Sequence, residues 1–138
     1  MRNRNAQLAK AARLARRHAH APYSRFRVGA ALLGRSGTLY TGCNVESSSY
    51  GLTICAERTA IFKAISEGEH AFEAIAVVAN TSEFTPPCGA CRQVLLDLAG
   101  NIDVIMTNAR GATSVVKLKE LLPRAFSNKN LLKARHSR

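Results

Sequence analysis

No stretch of this 138-residue chain approaches the ~18 consecutive apolar residues that a membrane-spanning helix needs. The first twenty residues also lack the apolar core of a secretory signal. They are rich in Arg and free of acid, so they resemble either a mitochondrial transit segment or a basic amphipathic first helix, and the helix is the plainer reading. The expectation is a cytoplasmic protein that does not contact a membrane. Internal repeats, low-complexity tracts and linkers are absent too, which leaves a single domain over residues 1–138. With 46% hydrophobic residues, disorder is not the default. A chain of this length buries roughly 68–70% of its unfolded surface, so it can build a core without staples. Four cysteines in such a chain point to metal binding or catalysis more than to disulfides.

Acidic residues are missing from both ends. Residues 1–20 carry six Lys or Arg and residues 124–138 carry five, while residues 21–123 hold nine of each sign. The formal net charge of +11 therefore sits wholly in the ends. A groove that tracks a phosphate backbone needs positive charge along the site itself. Nucleic acid is accordingly not the expected partner, and the ends read as solubilising or interfacial.

Apolar periodicity predicts a basic helix over residues 4–18, with Leu8, Ala11, Ala12, Leu14 and Ala15 on its apolar face and Pro22 closing it. Phe26 to Leu33 and Thr38 to Val45 read as strands joined through Gly34-Arg35-Ser36-Gly37. Residues 54–67 read as a helix stopped by Gly68, and Glu73 to Ala79 as a buried strand. A helix from Cys88 to Ala99 follows Pro87 and closes at Gly100. Residues 102–107 and 114–118 read as strands, and 118–122 and 128–135 as short helices, the last within a basic tail over 127–138. Strands alternating with helices give an α/β layered domain.

The chemistry lies in Cys55-Ala56-Glu57-Arg58 and Pro87-Cys88-Gly89-Ala90-Cys91. Each falls at a predicted helix start, where free N–H groups and the positive end of the dipole favour thiolate. Cys88 and Cys91 are three apart and can grip one ion from one helix face. Three thiolates with a fourth position open suit a catalytic zinc, since structural sites usually close all four. Cys43 either completes a structural four-cysteine site or is a small core residue; without a partner at metal spacing, it reads as core. A redox pair is the competing use of Cys88 and Cys91, and a third cysteine beside a glutamate argues against it. Glu57 is placed to take a proton from an activated water and pass it to a leaving amine. Its plainer role would be a first-turn glutamate that favours the helix dipole. Arg58 shares the face of Cys55. Three thiolates on Zn²⁺ sum to −1, and a guanidinium donating to the sulfurs would withdraw that excess; a surface arginine is the alternative.

Six segments, in this order, resemble the small homotetrameric cytidine deaminases: Pro22-Tyr23-Ser24, Phe26 to Leu32, Gly42 to Glu46, Cys55 to Ala60, Pro87 to Val94, and Glu120 to Pro123. The resemblance covers about residues 6–126. Cys55 stands where nucleobase deaminases of the H-x-E type have histidine, a choice characteristic of the free-nucleoside branch. The resemblance implies a three-layer α/β/α domain with a five-stranded mixed sheet. It implies one zinc per subunit on Cys55, Cys88 and Cys91, with Glu57 as catalytic acid and base. It implies hydrolysis of cytidine and deoxycytidine to uridine and deoxyuridine for pyrimidine salvage, in a homotetramer with shared active sites.

The resemblance also assigns Asn44 and Glu46 to the ribose hydroxyls, and in an extended segment residues two apart do point the same way. Phe26 becomes a wall of the base pocket, and the Ala56 backbone meets the base carbonyl. Phe126 stacks on a neighbouring subunit's pyrimidine, with Tyr50 at that interface. On spacing alone, Phe26, Tyr50 and Phe126 are ordinary packing residues, and Asn44 and Glu46 are polar residues at a strand end. Besides a non-catalytic zinc module, two other uses stay in view. One is deamination of a modified cytosine nucleoside such as blasticidin S; enzymes of that kind are similar around Cys88 to Leu98 but generally lack Arg58 and the Asn44-Val45-Glu46 run. The other is RNA or single-strand editing that uses the basic ends. The chain departs from the family at Ser47-Ser48, where Asn-Ala is common, and its basic tail has no counterpart there.

Overall fold

The alanine- and valine-rich runs of the chain lie at the centre of one sheet, where no edge is exposed. The computed structural model describes residues 2–136, so the outermost positions of the expected domain and tail (Met1, Ser137 and Arg138) lie outside the described residues. Strands β1 (Val28–Gly34), β2 (Leu39–Cys43), β3 (Phe72–Ala79), β4 (Asp103–Thr107) and β5 (Thr113–Lys117) form a sheet in the order β2-β1-β3-β4-β5. Only β3 and β4 run parallel, because α3 (Gly89–Ala99) carries the chain back between them. The other neighbours are antiparallel, which makes the sheet mixed.

Side-chain alternation sorts the sheet into two cores. Val28, Ala30 and Leu32 of β1 join Ile75, Val77 and Val104 under α2 (Ala56–Ser66) and α3. Ala31, Ala74, Ala76, Val78 and Ile105 face the other way and pack under Leu8 and Ala12 of α1 (Arg2–Arg16). The three layers follow from these two cores, and the basic first helix is one of the layers.

Both outer layers sit unusually close to the sheet. A Cβ on Gly29 would lie 2.0 Å from the Ala12 carbonyl oxygen, and one on Gly42 would lie 2.5 Å from that of Ala56. Glycine is what lets α1 and α2 rest on the strand backbones. Arg4 and Lys117 then clamp Asp103 at 2.8 and 2.7 Å, tying α1 to β4 and β5.

Several boundaries differ from the sequence expectation, some through distant partners and some through a cap or side-chain bond close by. Helix α1 ends at Arg16 rather than at 18, well before Pro22. Its continuation is stopped by His20, whose N–H donates to Asn44 O at 2.9 Å and whose carbonyl accepts from Glu46 N at 2.8 Å. Strand β2 ends at Cys43 rather than Val45, because Val45 exchanges backbone bonds with Ile54 instead. Strand β1 begins at Val28 rather than Phe26, whose N–H is taken by Ser24 Oγ at 3.0 Å. The segment 54–67 contracts to α2 because Cys55 is the extended cap residue, and Cys88 likewise caps α3. Short helices α4 (Leu118–Leu121) and α5 (Asn128–His136) follow β5; Leu118 is buried in the core, while residues 128–135 are exposed.

Candidate active site

Helices α2 and α3 cover the same face of the sheet, and each opens on a cysteine. Cys55 and Cys88 both have extended backbone, so their side chains leave the chain just ahead of the first free N–H groups of a helix. The Cys91 N–H donates to Cys88 Sγ at 3.4 Å, a thiol cap for α3. Cys55 Sγ lies 3.6 Å from Cys88 Sγ, and Cys88 Sγ lies 3.3 Å from Cys91 Sγ. All three sulfurs lie within 4.8 Å of one another. A tetrahedral ion with Zn–S bonds near 2.3 Å spaces its sulfurs about 3.8 Å apart. Two of the separations lie within about half an ångström of that spacing and the third is no more than 4.8 Å, so the three thiols can close on one such ion by small side-chain movements. Cys43 does not join them; it closes β2, half buried, with its thiol pushed up by that burial.

The sulfurs divide their ionisation unequally. Cys55 is drawn down to about 5, first by the hydrogen bond from Cys91 and then by those from Arg58 and Cys88. Cys91, buried and holding the shared proton, is pushed up by the same bond. Three thiolates held this close together call for a cation among them. Arg58 Nη2 donates to Cys55 Sγ at 3.3 Å, and that contact holds the guanidinium more firmly protonated than usual. Its buried Nε has no partner, so the group keeps donor capacity beside the sulfurs. The three thiols are the ligands a zinc ion would need here, and Arg58 stands beside them to draw charge from Cys55.

Glu57 stands in the first turn of α2, only 3% exposed. Burial pushes its carboxyl up to about 7, and the neighbouring Cys55 charge adds to the effect. A carboxyl poised there at neutral pH can both accept and return a proton.

Cys55, Glu57 and Cys88 line a cavity of about 220 Å³ together with Phe26, Asn44, Glu46 and Ala56. Residues expected from four separate segments are thus brought to one space. Asn44 is nearly buried and is already engaged. Its Oδ1 accepts from Val28 N at 2.9 Å and its Nδ2 donates to Phe26 O at 2.7 Å, joining the end of β2 to the start of β1. Each of its groups has room for one further bond. Glu46 Oε1 accepts from the N–H groups of Tyr23 and Ser24 at 2.9 and 3.1 Å, and its Oε2 accepts from Ser24 Oγ. The Ser24 hydroxyl, above all, holds the Glu46 carboxyl below the ordinary carboxylate range.

Ser24, Thr53 and Thr85 also line the cavity, and the sequence reading had not singled them out. Ser24 had a signal in the Pro22-Tyr23-Ser24 run; Thr53 and Thr85 had none. Two expected contacts are not brought to the cavity. Tyr50 is 75% exposed on a 3₁₀ turn over Tyr50–Leu52, edge-on to Tyr23 at 6.1 Å. Phe126 is 59% exposed, with its carbonyl accepting from Gln93 Nε2 at 2.8 Å.

Known proteins resemble this chain in sequence and in fold. Residues 2–107 match the family described as the cytidine and deoxycytidylate deaminase zinc-binding region. A cytidine deaminase of Sporosarcina psychrophila is 52% identical over 118 residues, covering 85% of this chain and 87% of that protein. One from Halalkalibacterium halodurans is 51% identical over 125 residues, covering 90% of this chain and 95% of its own. The crystal structure of a cytidine deaminase from Burkholderia pseudomallei superimposes with a TM-score of 0.84 at 50% identity, covering 87% of this chain and 97% of that one.

Proposed function

Since the chain belongs to the cytidine and deoxycytidylate deaminase zinc-binding family, we propose that it hydrolyses the exocyclic amine of cytosine in a free nucleoside, turning cytidine or deoxycytidine into uridine or deoxyuridine and ammonia. One observation supports this above the rest: a buried carboxyl lines the same cavity as two members of a three-thiol cluster. When bound, zinc supplies Lewis-acid activation of the attacking water. Cys55, Cys88 and Cys91 hold it, and Arg58 draws charge from Cys55. Glu57 takes a proton from the water and places it on N3 of the ring as the water's oxygen bonds to C4; it then takes the remaining proton from that oxygen and passes it to the amine, so that C4–N breaks, the C4 carbonyl forms and ammonia leaves. Its raised pKa keeps both proton forms accessible near pH 7.

The remaining residues hold the nucleoside. Phe26 walls the base, and the backbone of Ala56 meets the base carbonyl. Asn44 and Glu46 meet the ribose hydroxyls, oriented by bonds they already make to Phe26, Val28 and Ser24. The cavity falls below the ~300–1,000 Å³ of drug-sized sites, which suits one nucleoside better than a strand. Phe126 and Tyr50, large and exposed, meet a neighbouring subunit in a homotetramer that carries one zinc per subunit. Free thiols, with no disulfide among the described residues, agree with a cytoplasmic setting.

The test is ultraviolet absorbance during incubation of the zinc-loaded protein with cytidine. The wild type is expected to turn over, and Glu57→Gln to lose roughly 10²–10⁴-fold in kcat while retaining its zinc. A zinc-loaded wild type with no absorbance change, or a Glu57→Gln variant as active as wild type, would sink the reading.

A further inference from the structure

Arg92 follows the third thiol directly, but its side chain bonds to main-chain carbonyls. Its Nε donates to Pro87 O at 2.7 Å, and its Nη1 donates to Leu121 O at 2.8 Å. Its own N–H donates to Cys88 O at 2.9 Å. One residue therefore holds the carbonyls on both sides of the Cys88 α-carbon.

The ring of Pro87 is fully buried, while Cys88 beyond it is exposed. Cys88 is the exposed member of the cluster, whereas Cys91 is buried and Cys55 half-buried. It follows a stretch, residues 80–88, with no helix or strand. Pro86 and Pro87 have no N–H to donate, so this loop cannot fasten itself through those residues' amides. Packing holds the Pro87 ring, and Arg92 takes its carbonyl, the group that sets the tilt of the peptide leading to Cys88. The far end of the guanidinium is moored to the last residue of α4, whose Leu118 is fully buried. A rigid planar fork with two donors in use sets both the position and the tilt of what it holds.

We infer that Arg92 is the positioning residue for Cys88: it fixes the Pro87–Cys88 peptide so that the least enclosed thiol stays at a spacing where it can share one ion with Cys55 and Cys91. The inference rests on the zinc-deaminase reading above. It assigns Arg92 no contact with substrate and no proton; Arg92 acts on the metal through a backbone.

The test compares wild type, Arg92→Met and Arg92→Lys, each zinc-loaded. Zinc transfer to a chromogenic chelator is timed, cytidine kinetics are split into kcat and KM, and Tm is recorded. Groups that orient metal ligands are worth about 10–100-fold in metal affinity or activity. Zinc is expected to leave Arg92→Met faster by a factor in that range, with a matching fall in kcat and little change in KM. Arg92→Lys, able to hold one carbonyl but not both, is expected to fall between. If Arg92→Met does not fold, the lysine variant against wild type carries the comparison, with faster zinc release still expected.

Zinc release at the wild-type rate from either folded variant would overturn the inference. So would a fall in Tm with kcat per zinc-loaded molecule unchanged, which is the mark of a purely structural bond. A wild type that binds zinc but leaves cytidine untouched would instead refute the deaminase reading, so the two failures are distinct.

Discussion

Gly42→Ala tests whether the seat of α2 on the sheet sets the chemistry. A Cβ at position 42 would stand 2.5 Å from Ala56 O and 2.7 Å from Ala60 N, both backbone atoms of α2. Ordinary contact begins near 3.4 Å, so α2 must withdraw by roughly 0.9 Å at that point. Overpacking of this kind costs about 1–3 kcal/mol, each kcal/mol lowering Tm by roughly 4 °C at this chain length. The first turn of α2 carries Ala56 and Glu57 and is capped by Cys55. A shift near 1 Å in a catalytic group costs on the order of 10²-fold in rate.

Gly29→Ala is the matched comparison. Its Cβ would meet Ala12 O at 2.0 Å and Arg16 N at 2.5 Å, displacing α1, which supplies no candidate site residue. Both variants are expected to lose stability. Only Gly42→Ala is expected to lose about 10²-fold in kcat. The assay is cytidine turnover at 25 °C per folded, zinc-loaded molecule, with folding followed by circular dichroism and zinc by metal analysis. Equal kcat losses in the two variants, or full kcat in a destabilised Gly42→Ala, would refute the reasoning.

Two further outcomes are expected. The Asp103 carboxyl is held below the usual range, first by Lys117 and then by Arg4. A pKa lower in the folded state means that its stabilisation is fully present above the unfolded value of about 3.9 and is lost as pH falls through the folded one. Asp103→Asn is therefore expected to cost about 1 kcal/mol in denaturant titrations at pH 7 and progressively less below pH 4; an unchanged difference down to pH 2 would contradict this. Glu46 lines the cavity with its carboxyl held low by Ser24. A phosphate brought beside it meets like charge, so kcat/KM for cytidine monophosphate is expected to be at least about tenfold below that for cytidine. Comparable values for the two substrates would rule out that placement of Glu46.

The cysteine cluster was legible because its parts are local. Cys88 and Cys91 at i and i+3, and Cys55 and Arg58 at the same spacing, meet within a turn of helix wherever that helix goes. Periodicity likewise showed the central strands, whose alternating alanines and valines feed two cores. The boundaries that shifted answer to particular hydrogen-bond partners, some distant and some close by. His20 left the first helix to pair with residues 44 and 46, and Phe26 left its strand for Ser24. Apolar periodicity carries no record of either exchange. The roles of Ser24 and Arg92 are not legible in the sequence because they depend on partners far along the chain, Glu46 for Ser24 and Leu121 for Arg92.

The sequence by itself determined which residues could bind a metal, that they would open two helices, and that the excess charge lay outside the central region. All of these depend on residues within a few positions of one another, or on simple counting. Only the tertiary structure decided that sulfurs 33 residues apart lie 3.6 Å from each other, that Glu57 is buried beside them, and that Asn44 and Glu46 arrive already oriented. Those facts depend on how closely two helices can settle on a sheet, which at Gly29 and Gly42 is set by the absence of a single carbon atom.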